Sequence, residues 1–517
     1  MGAGLRGADS NPNGDLNGAP NGAPNARAQV RVTGFTHDSR AVRPGDLYAA
    51  MPGATVHGAE FAAAAAAAGA VAVLTDAAGA ELMEAAAEPV DLPVLLVPEV
   101  RPALGPVAAL VYGHPSRELL MLGVTGTNGK TTTSYLMEGG LRAAGRSTGL
   151  IGTVATRIGD RTIKSTRTTP EAPDLQALLA VMVEEGVDAL AMEVSSHALA
   201  YGRTAGIRYA VTAFTNLTQD HLDFHADFED YYAAKAKLFT PAYTEHAVIN
   251  TDDPYGRRMA AQAAEAGVPV WSFSVAGQRT ADWRAEQVEL GPDGSRFVLA
   301  GPDGREYQAA VNLPGDFNVA NAMTAILVLI AAGLDPDAVV AGVAAVPGVP
   351  GRMQKVGAGQ DYLAVVDYAH TPDAIRTLLE AVRPVTAGRL AVVVGCGGDR
   401  DRAKRPLMGA AAAWGADLVY LTDDNPRSED PLEILRAAEA GARQALAEGA
   451  RAELAVIPDR AAAIGAAIGA ARTGDSGVVA GQGHERGQEI AGVGHPFDDV
   501  EVVRDAVGRA GREVVGS

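Results

Sequence analysis

A single cysteine, Cys396, stands among 517 residues, so no internal disulfide can form and the chain suits a reducing interior. Positive charge is scarce. Against 62 Asp and Glu the chain sets 43 Lys and Arg, and the net charge of −19 disfavours a general affinity for nucleic acid or an anionic membrane surface. Long apolar runs are missing as well. The best two, residues 61–74 and 325–334, fall short of the ~18–20 residues a spanning helix needs, so no membrane partner is expected. The first 25 residues, rich in Gly, Asn, Pro and Ala, lack the basic-then-apolar order of a secretory signal. They read as a disordered extension, and the expected location is the cytoplasm.

What is present is a globular composition, 47% hydrophobic and 20% charged, on a chain too long for one core. One stretch organises it: Gly123-Val124-Thr125-Gly126-Thr127-Asn128-Gly129-Lys130-Thr131-Thr132-Thr133. An apolar run before it, residues 119–122, reads as a buried strand, and Ser134-Tyr135-Leu136-Met137-Glu138 after it reads as a helix. A glycine-rich turn at a helix N-terminus points backbone N–H groups at phosphate. Thr125 to Gly129 would form that cradle, Lys130 would reach the β/γ-phosphates and Thr131 would reach Mg²⁺. The usual spacing wants a glycine at Val124; here the glycines fall at 123, 126 and 129. The expected cofactors are ATP and Mg²⁺.

Residues 30–117 form a compositional unit with a helix at 60–68 and a strand at 70–75, a small α/β domain. Ser39 and Arg40 in it are either a hold on a phosphorylated ligand or an ordinary polar turn, the commoner use of such residues. From 118 to about 348 strands and helices alternate as in a doubly wound sheet. Residues 189–192 form a strand ending in Glu193, and residues 211–217 form another that leads to Asp220-His221. Open α/β sheets bind ligands at the carboxyl ends of their strands, so Glu193 and His221 are candidates for the Mg²⁺ or phosphate side. Lys235, read from its helix alone, is a solvated charge. Turn signals around 291–304 mark a β-rich insertion, and the Pro and Gly of 346–351 mark a hinge. In the remainder, 349–517, strands at 363–366, 390–394, 418–421 and 477–480 each run into a polar, glycine-bearing loop, a second binding surface on a Rossmann-like sheet. The expected fold is therefore α/β in three domains, 30–117, 118–348 and 349–517, after an extension over 1–29.

Taken together, Gly126-Thr127-Asn128-Gly129-Lys130-Thr131-Thr132, Met192-Glu193-Val194-Ser195-Ser196-His197, Asn216-Leu217-Thr218-Gln219-Asp220-His221, Asn318 with Asn321, Gly351-Arg352, Asp367-Tyr368-Ala369-His370-Thr371-Pro372 and Gly481-Gln482-Gly483-His484-Glu485 resemble the Mur ligases. These are ATP-dependent amide-forming enzymes of peptidoglycan precursor synthesis, and the likeness runs in order from about residue 30 to the C-terminus. The chain looks most like the members that add a third residue to UDP-N-acetylmuramoyl-L-alanyl-D-glutamate. The resemblance implies an N-terminal domain for the UDP end, a central ATPase domain and a mobile C-terminal domain that brings the amino acid. It implies that Ser39 and the Ala54-Thr55-Val56 loop lie near the uridine diphosphate, and that Thr168, Thr169, Ser195 and Arg203 hold the sugar-dipeptide part. Asn318, Arg352 and Asp367 would contact the nucleotide, and Lys235 would be carbamylated, which reverses its reading as a solvated charge. Two positions depart from the pattern: Gln482 replaces a more familiar lysine, and Tyr201 stands where some members have glutamine.

The third residue can be argued from charge. Diaminopimelate ends in a carboxylate and an ammonium, whereas lysine ends in an ammonium alone. Guanidinium groups pair bidentately with carboxylate, and Arg400, Arg427 and Glu485 offer two of them with an acid for the ammonium. Asp424-Asn425-Pro426-Arg427 also resembles the family's diaminopimelate-recognition motif, with Gly481 beside Glu485 in the neighbouring loop. Addition of lysine or another diamino acid, and a non-catalytic ATP-binding regulatory module, stay as alternatives. A monomer is expected.

Overall fold

The structure, a computed structural model, describes residues 4–5, 30–88, 90–357 and 359–515. Apart from Gly4–Leu5, the extension expected to be disordered lies outside the described residues. The chain divides into two compact units, residues 1–120 with 169–188 and 197–209, and residues 121–168 with 189–196 and 210–517.

The first unit holds a five-stranded sheet in the order Gly4–Leu5, Val94–Leu96, Ala72–Thr75, Asp46–Ala49, Gly34–Thr36. The last four are parallel to one another, and Gly4–Leu5 pairs antiparallel with Leu95 and Leu96. Alternating Leu47, Ala49, Leu74 and Ala72 face the helix Val100–Val111 and bury Leu104 and Ala108 against it. The helix Ala172–Glu184 packs on this side through Ala172 although it comes much later in the chain.

The second unit contains two large sheets. In the first, of eleven strands, Leu120–Thr125 lies between Ala189–Glu193 and Tyr209–Phe214. The chain passes from Leu120–Thr125 to Thr148–Ile151 and returns to Ala189–Glu193 on one side, then crosses to Tyr209–Phe214 on the other. A strand whose neighbours leave in opposite directions opens a crevice at its carboxyl end. The strand expected over 211–217 ends at Phe214, and residues 215–217 turn back over the glycine-rich loop instead. The β-rich insertion is the antiparallel run Trp283–Gly291, Gly294–Ala300, Glu306–Val311 at the sheet edge. Beneath the loop, the helix Lys130–Ala143 packs on Asp316–Ala331 and Pro336–Ala345. Gly139 and Gly342 let the first and third of these backbones meet closely.

The second sheet has the order Gln354–Lys355, Leu363–Asp367, Ser476–Ala480, Leu390–Cys396, Leu418–Asp423, Glu453–Val456. All but the first strand run parallel, so the four loops after Asp367, Cys396, Asp423 and Ala480 gather at one edge. The strands are runs of Val, Ala and Leu, as sheets covered on both faces require. Among the described residues no helix is long and apolar enough to cross a membrane.

Candidate functional site

The glycine-rich loop is held from the side by the segment after Tyr209–Phe214. Thr215 N donates to Thr125 O at 3.0 Å, Thr215 Oγ1 to Asn128 O at 2.6 Å, and Asn128 N to Asn216 Oδ1 at 2.9 Å. Asn128 Nδ2 reaches Thr218 Oγ1 at 3.3 Å, and Thr127 N donates to Asn216 O at 2.9 Å. Gly126 (φ 151°) and Gly129 (φ 89°) have backbone geometries that L side chains rarely adopt. A Cβ on Gly126 would also strike Thr215 Oγ1.

Lys130 folds over this loop, and its Nζ donates to Gly126 O at 2.9 Å and Thr127 O at 2.8 Å. Burial pushes its pKa down, opposed by Glu193 and Asp220. Thr131 Oγ1 donates to Glu193 Oε2 at 3.1 Å. Glu193, fully buried, also accepts Thr153 N (2.8 Å) and Thr153 Oγ1 (3.0 Å), and Thr168 Oγ1 lies 3.0 Å from that same hydroxyl. Ser195 follows two residues beyond, half-buried.

Lys235 is no solvated charge: its side chain is buried at the end of the helix Phe228–Ala236, and its Nζ donates to Gly126 O at 2.8 Å. Two lysines therefore share one carbonyl oxygen. Burial, then the proximity of Lys130, drives the Lys235 pKa well below the usual lysine value. Tyr231 joins the parts. Its hydroxyl lies 3.1 Å from Thr127 Oγ1, its ring centroid 4.6 Å from Lys235 Nζ and 6.0 Å from the His221 ring. His221 sits at φ 56° with Nε2 3.5 Å from Asp220 Oδ2. Burial would raise the Asp220 pKa, but His221, His370 and Lys404 together bring it below the ordinary value.

Arg352 reaches the same loop from just beyond the Pro- and Gly-rich residues 346–351. Its Nη2 donates to Thr131 Oγ1 at 3.1 Å while its guanidinium stacks 4.5 Å over the Tyr368 ring. Asp367 accepts Met353 N (2.7 Å) and Ala369 N (2.8 Å), tying the residue after Arg352 to the loop beyond its own strand, and burial raises its pKa. Asn318 is more deeply placed. Its amide donates to Pro314 O at 2.8 Å and its Oδ1 accepts Asn321 Nδ2 at 3.0 Å.

The second cluster lies on the loops of the C-terminal sheet. Arg427 (φ 54°) donates from Nη1 to Gly398 O at 2.7 Å. A Cβ on Gly397 would meet Arg427 Nη1 at 3.0 Å and Arg400 Cγ at 3.9 Å, so the two arginines flank that glycine. Asn425 Nδ2 donates to Glu485 Oε2 at 2.7 Å, and Tyr368 OH to Glu485 Oε1 at 3.3 Å. Burial, then Asp424, raises the Glu485 pKa. Asp424 is itself buried with a raised pKa, its carboxylate against Gly481, and the carbonyl of Pro426 lies against Gly398.

In the first unit, Ser39 opens a short 3-10 turn capped by Asp38, and Arg40 is spent on Asp38 at 2.8 Å. Arg203 Nη2 pairs with Glu171 Oε1 at 2.7 Å, and its Nη1 donates to Thr169 O at 3.4 Å. Arg101 and Arg203 stand 4.8 and 5.5 Å from the Tyr201 ring centroid.

Three domain models match the chain in order: the catalytic domain of the Mur ligase family over residues 31–112, the Mur ligase middle domain over 124–329, and the Mur ligase glutamate ligase domain over 351–483. The UDP-N-acetylmuramoyl-L-alanyl-D-glutamate--2,6-diaminopimelate ligase of Streptomyces avermitilis is 59% identical over 476 residues, 92% of each chain. The chain belongs to the Mur ligase family. The ligase of the same name from Corynebacterium glutamicum is 49% identical, covering 91% of this chain and 90% of its own. A solved structure of a ligase of that name superposes with a TM-score of 0.66 at 35% identity, over 92% of this chain and 95% of that one. The MurF ligase of Thermotoga maritima in complex with ADP shares the fold, with a TM-score of 0.61 at 18% identity over 94% and 99% of the two chains. The expected three-domain α/β architecture is thus that of this Mur ligase and its relatives.

Within this Mur ligase fold the structure gathers Lys130, Thr131, Glu193, Lys235 and Arg352 about one loop, and Arg400, Asn425, Arg427 and Glu485 about another. The sequence reading passed over Thr153, which holds Glu193 twice, and Tyr231, which spans three of the expected groups. Neither carries a motif. Their only signal is position, Thr153 just past the strand Thr148–Ile151 and Tyr231 one helical turn before Lys235.

Proposed function

We propose that this chain is an ATP-dependent ligase that joins meso-2,6-diaminopimelate to the D-glutamate γ-carboxylate of UDP-N-acetylmuramoyl-L-alanyl-D-glutamate, in peptidoglycan precursor synthesis. The observation that carries the reading is the pairing of a phosphate loop with a loop cluster that presents two guanidinium groups and a carboxylate.

A carboxylate is a poor electrophile, and amide formation in water needs it activated. The γ-phosphoryl of ATP passes to the D-glutamate carboxylate; the amine attacks the acyl phosphate, and the tetrahedral adduct collapses to amide and phosphate. Phosphoryl transfer is chiefly positioning and charge neutralisation. The loop from Thr125 to Gly129 curves so that the N-terminus of the helix Lys130–Ala143 faces the phosphates, its own Thr127 and Asn128 N–H groups being held by Asn216. Lys130 swings from Gly126 O and Thr127 O onto them, and Arg352 adds a second cation above Thr131. Asn318 and Asp367 support the nucleotide end, one bracing the helix under the loop, the other the chain around Arg352.

Thr131 Oγ1 and Glu193 Oε2, 3.1 Å apart and buried, suit Mg²⁺, with His221 and a carbamate on Lys235 as further ligands. Among the described residues no group of three or more His, Cys, Asp and Glu forms a metal cage. Mg²⁺ commonly keeps several waters and takes substrate phosphate oxygens beside one or two protein groups. When bound, Mg²⁺ would neutralise charge on the phosphates. The depressed pKa of Lys235 favours the neutral amine, which would add to CO₂ and release one proton, leaving an anion where an ordinary lysine carries a cation. Ser39, Thr168, Thr169, Ser195 and Arg203 would hold the UDP-muramoyl dipeptide, with domains over 30–117, 118–348 and 349–517.

At the amino-acid end, Arg400 and Arg427 take the distal carboxylate of diaminopimelate, and Glu485, with Asp424, Asn425, Pro426 and Gly481 around it, takes the ammonium. Lysine would offer neither guanidinium a carboxylate. The test is ATP-derived phosphate release in the presence of the UDP-muramoyl dipeptide and a panel of amino acids, with Arg427→Ala alongside. Diaminopimelate should drive release and lysine should not. Arg427→Ala should raise the KM for diaminopimelate about 10-fold or more with little effect on that for ATP. Equal use of lysine, or an equal loss of ATP affinity in the variant, sinks the assignment.

A further inference from the structure

The two arginine-bearing loops are not independent. Gly397 to Asp401 follows the strand Leu390–Cys396, and Asn425 to Glu429 follows its parallel neighbour Leu418–Asp423. Between them run six bonds: Gly398 N to Asn425 O (2.8 Å), Arg427 Nη1 to Gly398 O (2.7 Å), Ser428 N to Asp399 Oδ2 (3.1 Å), Ser428 Oγ to Asp399 Oδ1 (2.7 Å) and to Asp399 Oδ2 (3.0 Å), and Asp399 N to Glu429 Oε1 (2.6 Å).

Glu429 is the centre of this stitch. Its carboxylate takes a two-pronged grip from Arg405, Nη2 to Oε1 at 2.7 Å and Nη1 to Oε2 at 3.1 Å, and a further ion pair from Arg402 at 2.9 Å. Arg405, buried in the helix Lys404–Gly415, also donates to Gly397 O at 3.3 Å. Hydrogen bonds from Arg405 and from the Asp399 backbone hold the Glu429 carboxyl down at about 2, so it is charged at any working pH. The backbone N–H it accepts belongs to the residue just before Arg400, and its own position is two beyond Arg427. Asp399 (φ 52°) and Arg427 (φ 54°) both sit in the left-handed region. A non-glycine residue stays there only where its surroundings over-determine it.

We propose that Glu429, gripped by Arg405, is a positioning residue that sets the separation of the Arg400 and Arg427 guanidinium groups, and through it the preference for an amino acid ending in a carboxylate. It rests on the diaminopimelate reading above. Two guanidiniums recognise one carboxylate only when their spacing holds to about 0.5 Å, and a single anion that fastens both loops supplies that constraint. Glu429 itself faces Arg405, Arg402 and the Asp399 backbone and reaches no substrate group in this scheme.

The test uses the full chain with Glu429→Gln and, as a milder cut of the same stitch, Ser428→Ala. Steady-state kcat and KM are measured for meso-diaminopimelate, ATP and the UDP-muramoyl dipeptide, with the ratio of kcat/KM for diaminopimelate to that for L-lysine. Glu429→Gln should raise the KM for diaminopimelate about 10-fold or more and lower the ratio to match. The KM for ATP should stay within about 2-fold. Ser428→Ala should move the same quantities in the same direction by a few-fold, and decides the matter if Glu429→Gln does not fold. An unchanged ratio, or a uniform loss across all three substrates with a lowered melting temperature, overturns the positioning role. A wild-type protein that fails to use diaminopimelate at all overturns the functional reading instead, and this inference falls with it.

Discussion

Lys235 carries the sharpest demand at the scale of a single residue. Its ammonium is buried and shares Gly126 O with Lys130, so two cations compete for one acceptor out of water. An ordinary lysine, with a pKa near ~10.4, is almost wholly charged at neutral pH; burial and Lys130 shift this one toward the free amine. A carbamate would relieve the repulsion by placing an anion beside Lys130. Enzyme equilibrated with ¹³C-labelled bicarbonate should show a carbamate carbon that is absent from Lys235→Ala. Lys235→Arg keeps the charge but cannot be carbamylated and should lower kcat by roughly 10²-fold or more. A fully active arginine variant with no labelled carbon in the wild type would remove the carbamate from the scheme.

The glycine-rich loop works as an element because its curvature and its partners are the same fact. Thr215 and Asn216 bond its backbone, Thr218 bonds its side chains, and Thr215 leaves no room for a side chain at Gly126. Gly126→Ala must both strain φ and displace Thr215, at a cost of about 2 kcal/mol or more. Denaturant unfolding should show that loss, and ATP affinity should fall at least ~10-fold. An alanine variant with wild-type nucleotide affinity would mean that the loop does not hold phosphate in this geometry.

Across the whole molecule, stretches far apart in the chain meet at one buried ion pair. Arg460 donates to Asp499 at 2.8 and 2.7 Å, and also to Ala480 O (3.0 Å) and Asp423 O (3.3 Å). The pair is fully buried. It ties the helix Asp499–Val515 to the ends of the two strands that lead into Asp424-Asn425-Pro426-Arg427 and Gly481. Removing one partner strands a charge in the core, so Arg460→Met should lower stability by about 3–5 kcal/mol. Adding Asp499→Leu should recover most of it, because the desolvation of both ions then disappears. Thermal melts of the single and double variants provide the check; a double variant no better than the single would show that the contacts to Ala480 O and Asp423 O matter more than the ion pair.

Local order was legible wherever a short stretch dictates its own geometry. Glycine spacing ahead of Lys130 marked the turn between the strand Leu120–Thr125 and the helix Lys130–Ala143, and four apolar runs ending in glycine-bearing loops marked the C-terminal sheet edge. Such features depend on backbone freedom and on hydrophobic period, both written residue by residue. Lys235 read alone was a surface charge, Thr153 and Tyr231 passed without remark, and nothing in Ser428-Glu429 announced a stitch between two arginine loops. Those facts belong to the tertiary structure alone. Burial, a shared acceptor and a cross-loop carboxylate exist only when segments tens to hundreds of residues apart are brought within hydrogen-bond distance.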